Sequence, residues 1–292
     1  MTDARHKPLT TEAPKATGRP HYDRSALSYA GSFDNRVQRG IIRTIEMMTG
    51  KITIGRLVRK FEKQGIPRGQ EVFTRILTTM GIDLQTPEAE LNRIPKTGPV
   101  VLVANHPHGL VDGVVLAELI GRVRPDYRIL TRSLLTGLDE EATSFMIPVP
   151  FPHQSDAQEK MVEMRERAMV HLNAGGLVAL FPSGSVAASK TMFGPAEEAP
   201  WNAFTAKLIR KSGAKVVPMF FEGSNSRAYQ VANQLSATLR QGLLIHEIAR
   251  AVNKPMAPII GKPFDPAEVK DRMKDTSAFM AWLRQSTLSL SR

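Results

Sequence analysis

Short, continuous apolar runs alternate along this chain with longer stretches of mixed polarity. Residues 99–104 (PVVLVA) open the series, and similar runs recur at 127–132 (YRILTR), 177–181 (LVALF), 215–221 (KVVPMFF) and 257–261 (APIIG). Runs this short, apolar on both sides of the pleat, read as strands buried on both faces. Between them lie segments of helical period at 112–122, 156–174 and 201–212, and an earlier helix runs from about residue 70 to 80 and stops at Gly81. Strands alternating with helices predict an α/β domain whose sheet is largely parallel and flanked by helices. In such sheets ligands gather at the carboxyl ends of the strands.

Upstream of these runs the pattern changes twice. Residues 1–38 are rich in Pro, Thr, Arg and Lys and show no hydrophobic period, the composition of a mobile basic tail. Beyond them Ile41, Ile45, Met48 and Ile52 fall at helical spacing. Leu57, Val58 and Phe61 continue the stripe past Gly50 and Gly55, with Arg43, Lys51, Arg56, Arg59, Lys60 and Lys63 on the opposite face. A basic amphipathic helix of this kind either lies in a membrane interface or packs on its own domain with a solvated basic face. The expected organisation is therefore a tail over 1–38, a helical, candidate membrane-associating segment over 39–85, and an α/β domain over 86–292.

Composition narrows the chemistry. The 292 residues include no cysteine, which removes disulfides, thiolate nucleophiles, Cys-ligated zinc and iron–sulfur clusters. A net charge of +11 points to polyanionic partners. Nucleic acid is not expected, because no zinc-finger spacing, aromatic ribonucleoprotein motif or basic zipper occurs. An anionic membrane surface is the better match. No apolar run approaches the roughly 18 residues of a membrane-spanning helix, and the N-terminus carries no apolar core of a secretory signal. The expectation is a peripheral protein on the cytoplasmic face of the inner membrane.

Candidate chemistry sits where the first strand should end. In VLVANHPHGLVDG (101–113) two histidines, His106 and His108, precede one carboxylate, Asp112. A histidine oriented by a carboxylate is a general-base unit. Spacing of four favours His108 with Asp112 on one helix face. His106 meets Asp112 equally well if 107–110 form a turn before the helix, and Pro107 and Gly109 favour that turn. Two further Gly-containing turns follow apolar runs, PSGS after 177–181 and EGSNSR after 215–221. Ser183 and Ser185 lack the Gly-x-Ser-x-Gly frame of an activated serine and read as turn formers. Glu222 with Arg227 reads as an ion pair bracing the third turn, and Met161, Met164 and Met169 read as core fillers on a helix.

These blocks resemble the glycerolipid acyltransferases of the lysophosphatidate acyltransferase (PlsC) type. The form Asn-His-Pro-x-Gly-x-x-Asp-Gly, here Asn105, His106, Pro107, Gly109, Asp112 and Gly113, is similar to the hemolysin-like branch, which includes the O-acyltransferases of ornithine-lipid and other aminolipid synthesis. LFPSGSVA (180–187), VVPMFFEGSNSR (216–227) and IIGKPF (259–264) resemble the family's later blocks in the same order, so the resemblance covers about residues 40–265. It implies that His106 is the base on the acceptor hydroxyl and Asp112 its orienting carboxylate. It further implies that Asn105, His108, Gly109 and Arg132 lie around the substrates, together with Phe181, Pro182, Ser183, Gly184 and Ser185 of the third block and Glu222 of the fourth. The implied reaction moves a fatty acyl group from an acyl thioester, on acyl carrier protein (acyl-ACP) or coenzyme A (acyl-CoA), to a lysolipid. No bound cofactor and no metal are needed. Where phosphatidate-forming members carry Glu and Arg in the third block, this chain has Ser183 and Val186. That departure favours a lyso-aminolipid acceptor of the ornithine-lipid type over 1-acylglycerol-3-phosphate. A non-catalytic lipid or acyl-carrier binding module is the reading from a different class, and a thioester hydrolase is a third.

Overall fold

A computed structural model describes residues 28, 30, 35–65, 67–131, 140–150 and 156–291. Most of the expected tail, and Arg132, lie outside these residues. Eight strands are described: β1 Val100–Ala104, β2 Tyr127–Thr131, β3 Met146–Pro148, β4 Leu177–Leu180, β5 Ala188–Ser189, β6 Ala196–Glu197, β7 Lys215–Phe220 and β8 Ile259–Ile260. Six of them form one sheet in the order β3-β2-β4-β1-β7-β8, parallel except for the edge strand β8, and β5 and β6 pair separately as a hairpin. The strand β3, too short to carry a periodic signal, is absent from the sequence reading. The run 257–261 contributes only two residues of antiparallel edge.

All five residues of β1 are buried, as expected for a central strand covered on both faces. Val100, Leu102 and Ala104 enter one core layer with Phe73 and Leu77 of α3 (Glu71–Met80) and Val115 and Leu119 of α5 (Leu110–Gly121). Val101 and Val103 enter the opposite layer, the alternation a period of two demands. Their partners there are Met164 and Ala168 of α7 (Ala157–Asn173), Leu208 of α8 (Ala203–Ser212) and Phe279 and Leu283 of α13 (Thr276–Leu288). Met161 and Met169 pack against this second layer too, in keeping with the core-filling role read from the sequence. Smaller helices complete the shell: α4 (Glu88–Leu91), α6 (Glu140–Ser144), α9 (Arg227–Leu235), α10 (Ala237–Gly242), α11 (Leu244–Arg250) and α12 (Pro266–Arg272).

The N-terminal segment forms two helices, α1 (Arg36–Thr49) and α2 (Lys51–Lys63), broken at Gly50. The break fits a close approach, since a Cβ on Gly50 would lie 2.8 Å from the Ile245 carbonyl oxygen of α11. The face that seats the pair is Ile42, Glu46 and Ile54, all buried. The stripe read from the sequence divides: Leu57 and Val58 pack against this same cluster, while its N-terminal members stay outside. Ile41, Met48 and Ile52 are 42%, 81% and 59% exposed, and Val37 and Met47 join them in solvent. The apolar arc is broad enough that one edge seats on the domain while the other stays outside.

Candidate active site

Strand register gathers three turns at one sheet edge. Val103 is paired with Leu180 of β4 and Ala104 with Met219 of β7, so Phe181, Asn105 and Phe221 leave the sheet within two residues of one another in register. Asn105 is buried and bridges two of these exits: its amide donates to the Phe221 carbonyl at 2.8 Å and its oxygen accepts the Phe221 N–H at 2.7 Å. That pair replaces the ladder bonds lost where strands end, so Asn105 braces the site. His106 follows with both backbone groups held. Its N–H donates to Glu198 Oε2 at 3.1 Å and its carbonyl accepts the Ala187 N–H at 2.8 Å. The imidazole stacks on Phe181, with centroids 3.9 Å apart and planes inclined by 18°.

Asp112 is completely buried. Its Oδ2 accepts from His106 Nδ1 at 3.0 Å, from the His108 N–H at 2.8 Å and from the Gly109 N–H at 3.0 Å, and its Oδ1 accepts from His108 Nδ1 at 2.9 Å. The aspartate therefore serves both histidines. Two local features allow this. Asp112 sits in the first turn of α5, where a carboxylate satisfies free amides and meets the positive end of the helix. Gly109, at φ 81 and ψ −127, turns the chain back over that carboxylate in a conformation that L-residues strongly resist.

Burial alone would push the Asp112 carboxyl up, but the hydrogen bonds from His106 and His108, with their charges, hold it below the usual carboxylate range. An ionised carboxylate only accepts, so each Nδ1 carries its proton and a neutral His106 keeps its lone pair on Nε2. That is the tautomer of a general base. For His108, burial works to lower the pKa, yet the hydrogen bond and charge of Asp112 and the charge of Glu247 outweigh it and leave the group raised. The His108 Nε2 reaches the third turn, where a Cβ on Gly223 would lie 2.9 Å away.

In the second turn the Gly184 N–H closes back on the Phe181 carbonyl at 3.0 Å with φ 65, and the Pro182 carbonyl accepts from Asn202. Ser183 Oγ donates to the Ser185 carbonyl at 2.9 Å, so it is engaged as a turn former; Ser185 is exposed. Val186 lies against the Gly109 turn, its Cγ2 3.4 Å from where a Gly109 Cβ would stand. The third turn departs from expectation. Glu222 is exposed and does not pair with Arg227, whose guanidinium donates instead to the carbonyls of Phe193 at 3.2 Å and Gly194 at 2.7 Å. Arg227 opens α9, which packs on the β5–β6 hairpin and carries the side chain that way.

Glu198 was not legible as a site residue. Its buried carboxylate holds the His106 N–H and, at 3.1 Å, the Trp201 indole N–H. The only hint in the sequence is an acidic pair set directly before Ala-Pro-Trp. Also unforeseen is a cleft of about 330 Å³ on the His108 side, lined by His108, Phe221, Glu222, Asn225, Glu247 and Lys254 among others. Among the described residues no group of three or more His, Asp and Glu side chains is arranged to hold a metal ion.

A histidine seated on a buried carboxylate at the carboxyl edge of a mostly parallel sheet is an arrangement that can carry acid–base chemistry in an α/β protein. Residues 28–251 match a family model described as Acyltransferase, and the chain belongs to that acyltransferase family. The lyso-glycine lipid O-acyltransferase of Phocaeicola vulgatus is 29% identical over 209 residues, spanning 68% of this chain and 71% of that protein. The crystal structure of the 1-acyl-sn-glycerophosphate (LPA) acyltransferase PlsC from Thermotoga maritima aligns over 90% of this chain and 86% of its own, with a TM-score of 0.41 and 14% identity.

Proposed function

We propose that this acyltransferase moves a fatty acyl group from an acyl thioester, on acyl carrier protein or coenzyme A, to the hydroxyl of a lysolipid. A lyso-aminolipid of the ornithine-lipid type is the acceptor in this reading. The observation that carries it is the contact of 3.0 Å between His106 Nδ1 and the buried Asp112 carboxylate, which leaves Nε2 as the basic atom. His106 Nε2 takes the acceptor hydroxyl proton as the oxygen attacks the thioester carbonyl. The carbon–sulfur bond breaks, the thiolate leaves, and the imidazolium returns the proton to it. Asp112 orients the ring and stabilises the imidazolium between the two steps. Stacking on Phe181 fixes the ring plane, so little reorientation stands between binding and proton transfer.

Two observations support the finer points. Val186 puts an apolar side chain beside the Gly109 turn, at the place where the resemblance gives phosphatidate-forming enzymes an arginine; a phosphate acceptor loses its bidentate partner there. The aminolipid acceptor is also the reading closer to the Phocaeicola relative, whose name specifies a lyso-glycine lipid. For location, the exposed Ile41, Met47, Met48 and Ile52, bordered by exposed Arg43, Arg56 and Arg59, suit a peripheral seat on an anionic bilayer, with the cytoplasmic face of the inner membrane as the proposed site. No described helix is long and apolar enough to cross a membrane.

The test is transfer of a labelled acyl group from acyl-ACP and acyl-CoA to lysolipids in vitro, followed by lipid mass spectrometry. Wild type forms the diacyl product and His106→Ala does not. Product formation by folded His106→Ala at the wild-type rate overturns the base assignment. Thiol release without a diacyl product would instead identify a hydrolase.

A further inference from the structure

The cleft beside His108 holds groups that the proton-transfer machinery does not use. The Lys254 ammonium is exposed and makes no ion pair or hydrogen bond with any described residue, and the Glu222 carboxylate at the same cleft is likewise exposed and unpaired. Asn225 is only 5% exposed, yet its side-chain N–H₂ has no hydrogen-bond partner among the described residues. A buried amide donor left open in a native fold calls for a ligand or ordered water to accept from it. Glu247, the other acid in the cleft, is already engaged by the Ser226 N–H at 2.9 Å, by the Ser226 hydroxyl at 2.5 Å and by Arg250 at 3.4 Å. Phe221, Met256 and Pro258 supply apolar walls.

Building on the lysolipid acyltransferase reading above, we infer that this cleft is the acceptor's headgroup site and that it takes a zwitterionic headgroup of amino-acid type, its carboxylate on Lys254 and Asn225 and its ammonium on Glu222. Size agrees. A cleft of about 330 Å³ stands at the small end of ligand sites, which run from about 300 to 1,000 Å³, enough for a polar headgroup with the acyl chains left outside. Charge agrees as well. Glu247 is offset by Arg250, which lines the same cleft, so a phosphate dianion would meet the unpaired Glu222 carboxylate beside Lys254 with its second charge unmatched, whereas a zwitterion satisfies the free cation and the free anion together. A neutral headgroup leaves both unmatched. Position agrees because His108 lines the cleft and shares Asp112 with His106, so a headgroup held here lies next to the base.

The experiment uses the full chain and three acceptors identical in acyl chain and hydroxyl but differing in headgroup: carboxylate plus ammonium, carboxylate alone, and phosphate monoester. The acceptor KM rises in that order. Lys254→Ala raises it about tenfold for both carboxylate acceptors, the loss of one charge-assisted contact. Glu222→Gln raises it only for the acceptor that carries the ammonium, and the KM of the acyl thioester stays put in both variants. Because both side chains are exposed and unpaired, the fold is undisturbed, which circular dichroism checks. A preference for the phosphate acceptor, or an acceptor KM indifferent to Lys254→Ala and Glu222→Gln, overturns the headgroup site while leaving the acyltransferase reading intact. Calorimetric titration of the same three lipids into His106→Ala reads the site without turnover. Absent transfer with Lys254-dependent binding therefore refutes the reaction and keeps the site.

Discussion

Replacing Asp112 with asparagine keeps the shape of the side chain and removes its charge, which separates positioning from electrostatics at the base. The four donors now converging on the carboxylate would meet one amide oxygen and one N–H₂. With the oxygen in the place of Oδ2, the bonds from His106 Nδ1, the His108 N–H and the Gly109 N–H survive as neutral contacts, and His108 changes tautomer to accept from the N–H₂. Each surviving bond falls from roughly 1.5–3 kcal/mol to roughly 1 kcal/mol, but the amide no longer carries the cost of burying a charge. The net loss of stability is therefore modest, on the order of 1–3 kcal/mol, and the fold persists.

Activity should fall much further. The imidazolium formed on His106 has its Nδ1 3.0 Å from Oδ2, with its charge spread over the ring. Two unit charges about 4 Å apart at an effective dielectric near 20 attract by roughly 4 kcal/mol. Removing that attraction from the transition state lowers kcat by about 10³. The assay is release of the thioester's thiol, read with a chromogenic disulfide. The chain contains no cysteine, so the reagent reports product alone. A folded Asp112→Asn protein working within about tenfold of wild type would refute the reasoning, because a uniform positioning role predicts no such charge dependence.

Three further outcomes follow from the same geometry. Stability should depend on pH at both ends: the Asp112 carboxyl titrates lower when folded, so its contribution is present above about pH 4 and is lost as pH falls through its folded value, while His108 is raised, so its contribution is present below about pH 6.5 and fades as pH rises through its folded value. Urea midpoints of wild type and His108→Gln should accordingly converge as pH rises above about 6.5, and a constant gap would contradict the shift. Gly109→Ala places a Cβ on a backbone with φ 81 and should cost about 1–3 kcal/mol while loosening the amide that holds Asp112; an unchanged melting temperature would show that the turn relaxes freely. Met48→Glu with Ile52→Glu should leave the fold intact, since both side chains are already largely in solvent, but should cut binding to anionic vesicles by at least about a hundredfold, at roughly 1.5–3 kcal/mol per side chain withdrawn; undiminished sedimentation with vesicles would remove α1 and α2 from the membrane contact.

What the sequence disclosed and what it hid divide along physical lines. Central parallel strands are apolar on both faces, so β1, β2, β4 and β7 stand out as unbroken runs within a residue or so of their observed ends. Helices α3, α5, α7 and α8 carry a clear period or a Gly stop, and their limits follow closely. Elements held by tertiary contact leave no such mark, which is why β3 and the helices from 227 to 250 escape. At the site, the link from His106 to Asp112 was legible through its motif, but spacing left the choice between two histidines open, because a fully buried carboxylate can accept from both. Glu198, Asn225, Glu247 and Lys254 were hidden for a different reason. They arrive from separate turns and helices, and only tertiary packing brings Glu198 to the His106 amide and Asn225, Glu247 and Lys254 to one cleft.

Sharing one carboxylate between two imidazoles has a consequence for the reaction itself. Asp112 carries a single negative charge and can neutralise one imidazolium at a time. While His108 is protonated, that charge is committed on the Oδ1 side, and a proton taken by His106 creates a second cation in the same buried cluster. Once His108 is neutral, the whole charge supports His106. The charge state of His108 therefore sets how much of the Asp112 charge is left to support His106, and the acid limb of the rate profile follows His108 as well as the base. Glu247 and Lys254, which act on His108 in opposite directions, thereby reach the base without touching it. Burial is the larger influence that lowers His108, and the Lys254 charge adds to it; a bound carboxylate that neutralises Lys254 removes that added influence, so the acid limb should move to higher pH when a carboxylate acceptor fills the cleft, and in the same direction without acceptor in Lys254→Ala. Following the limb in kcat and in kcat/KM for the two proteins checks this, and a limb that stays fixed in both would show that the cleft and the base are electrostatically independent.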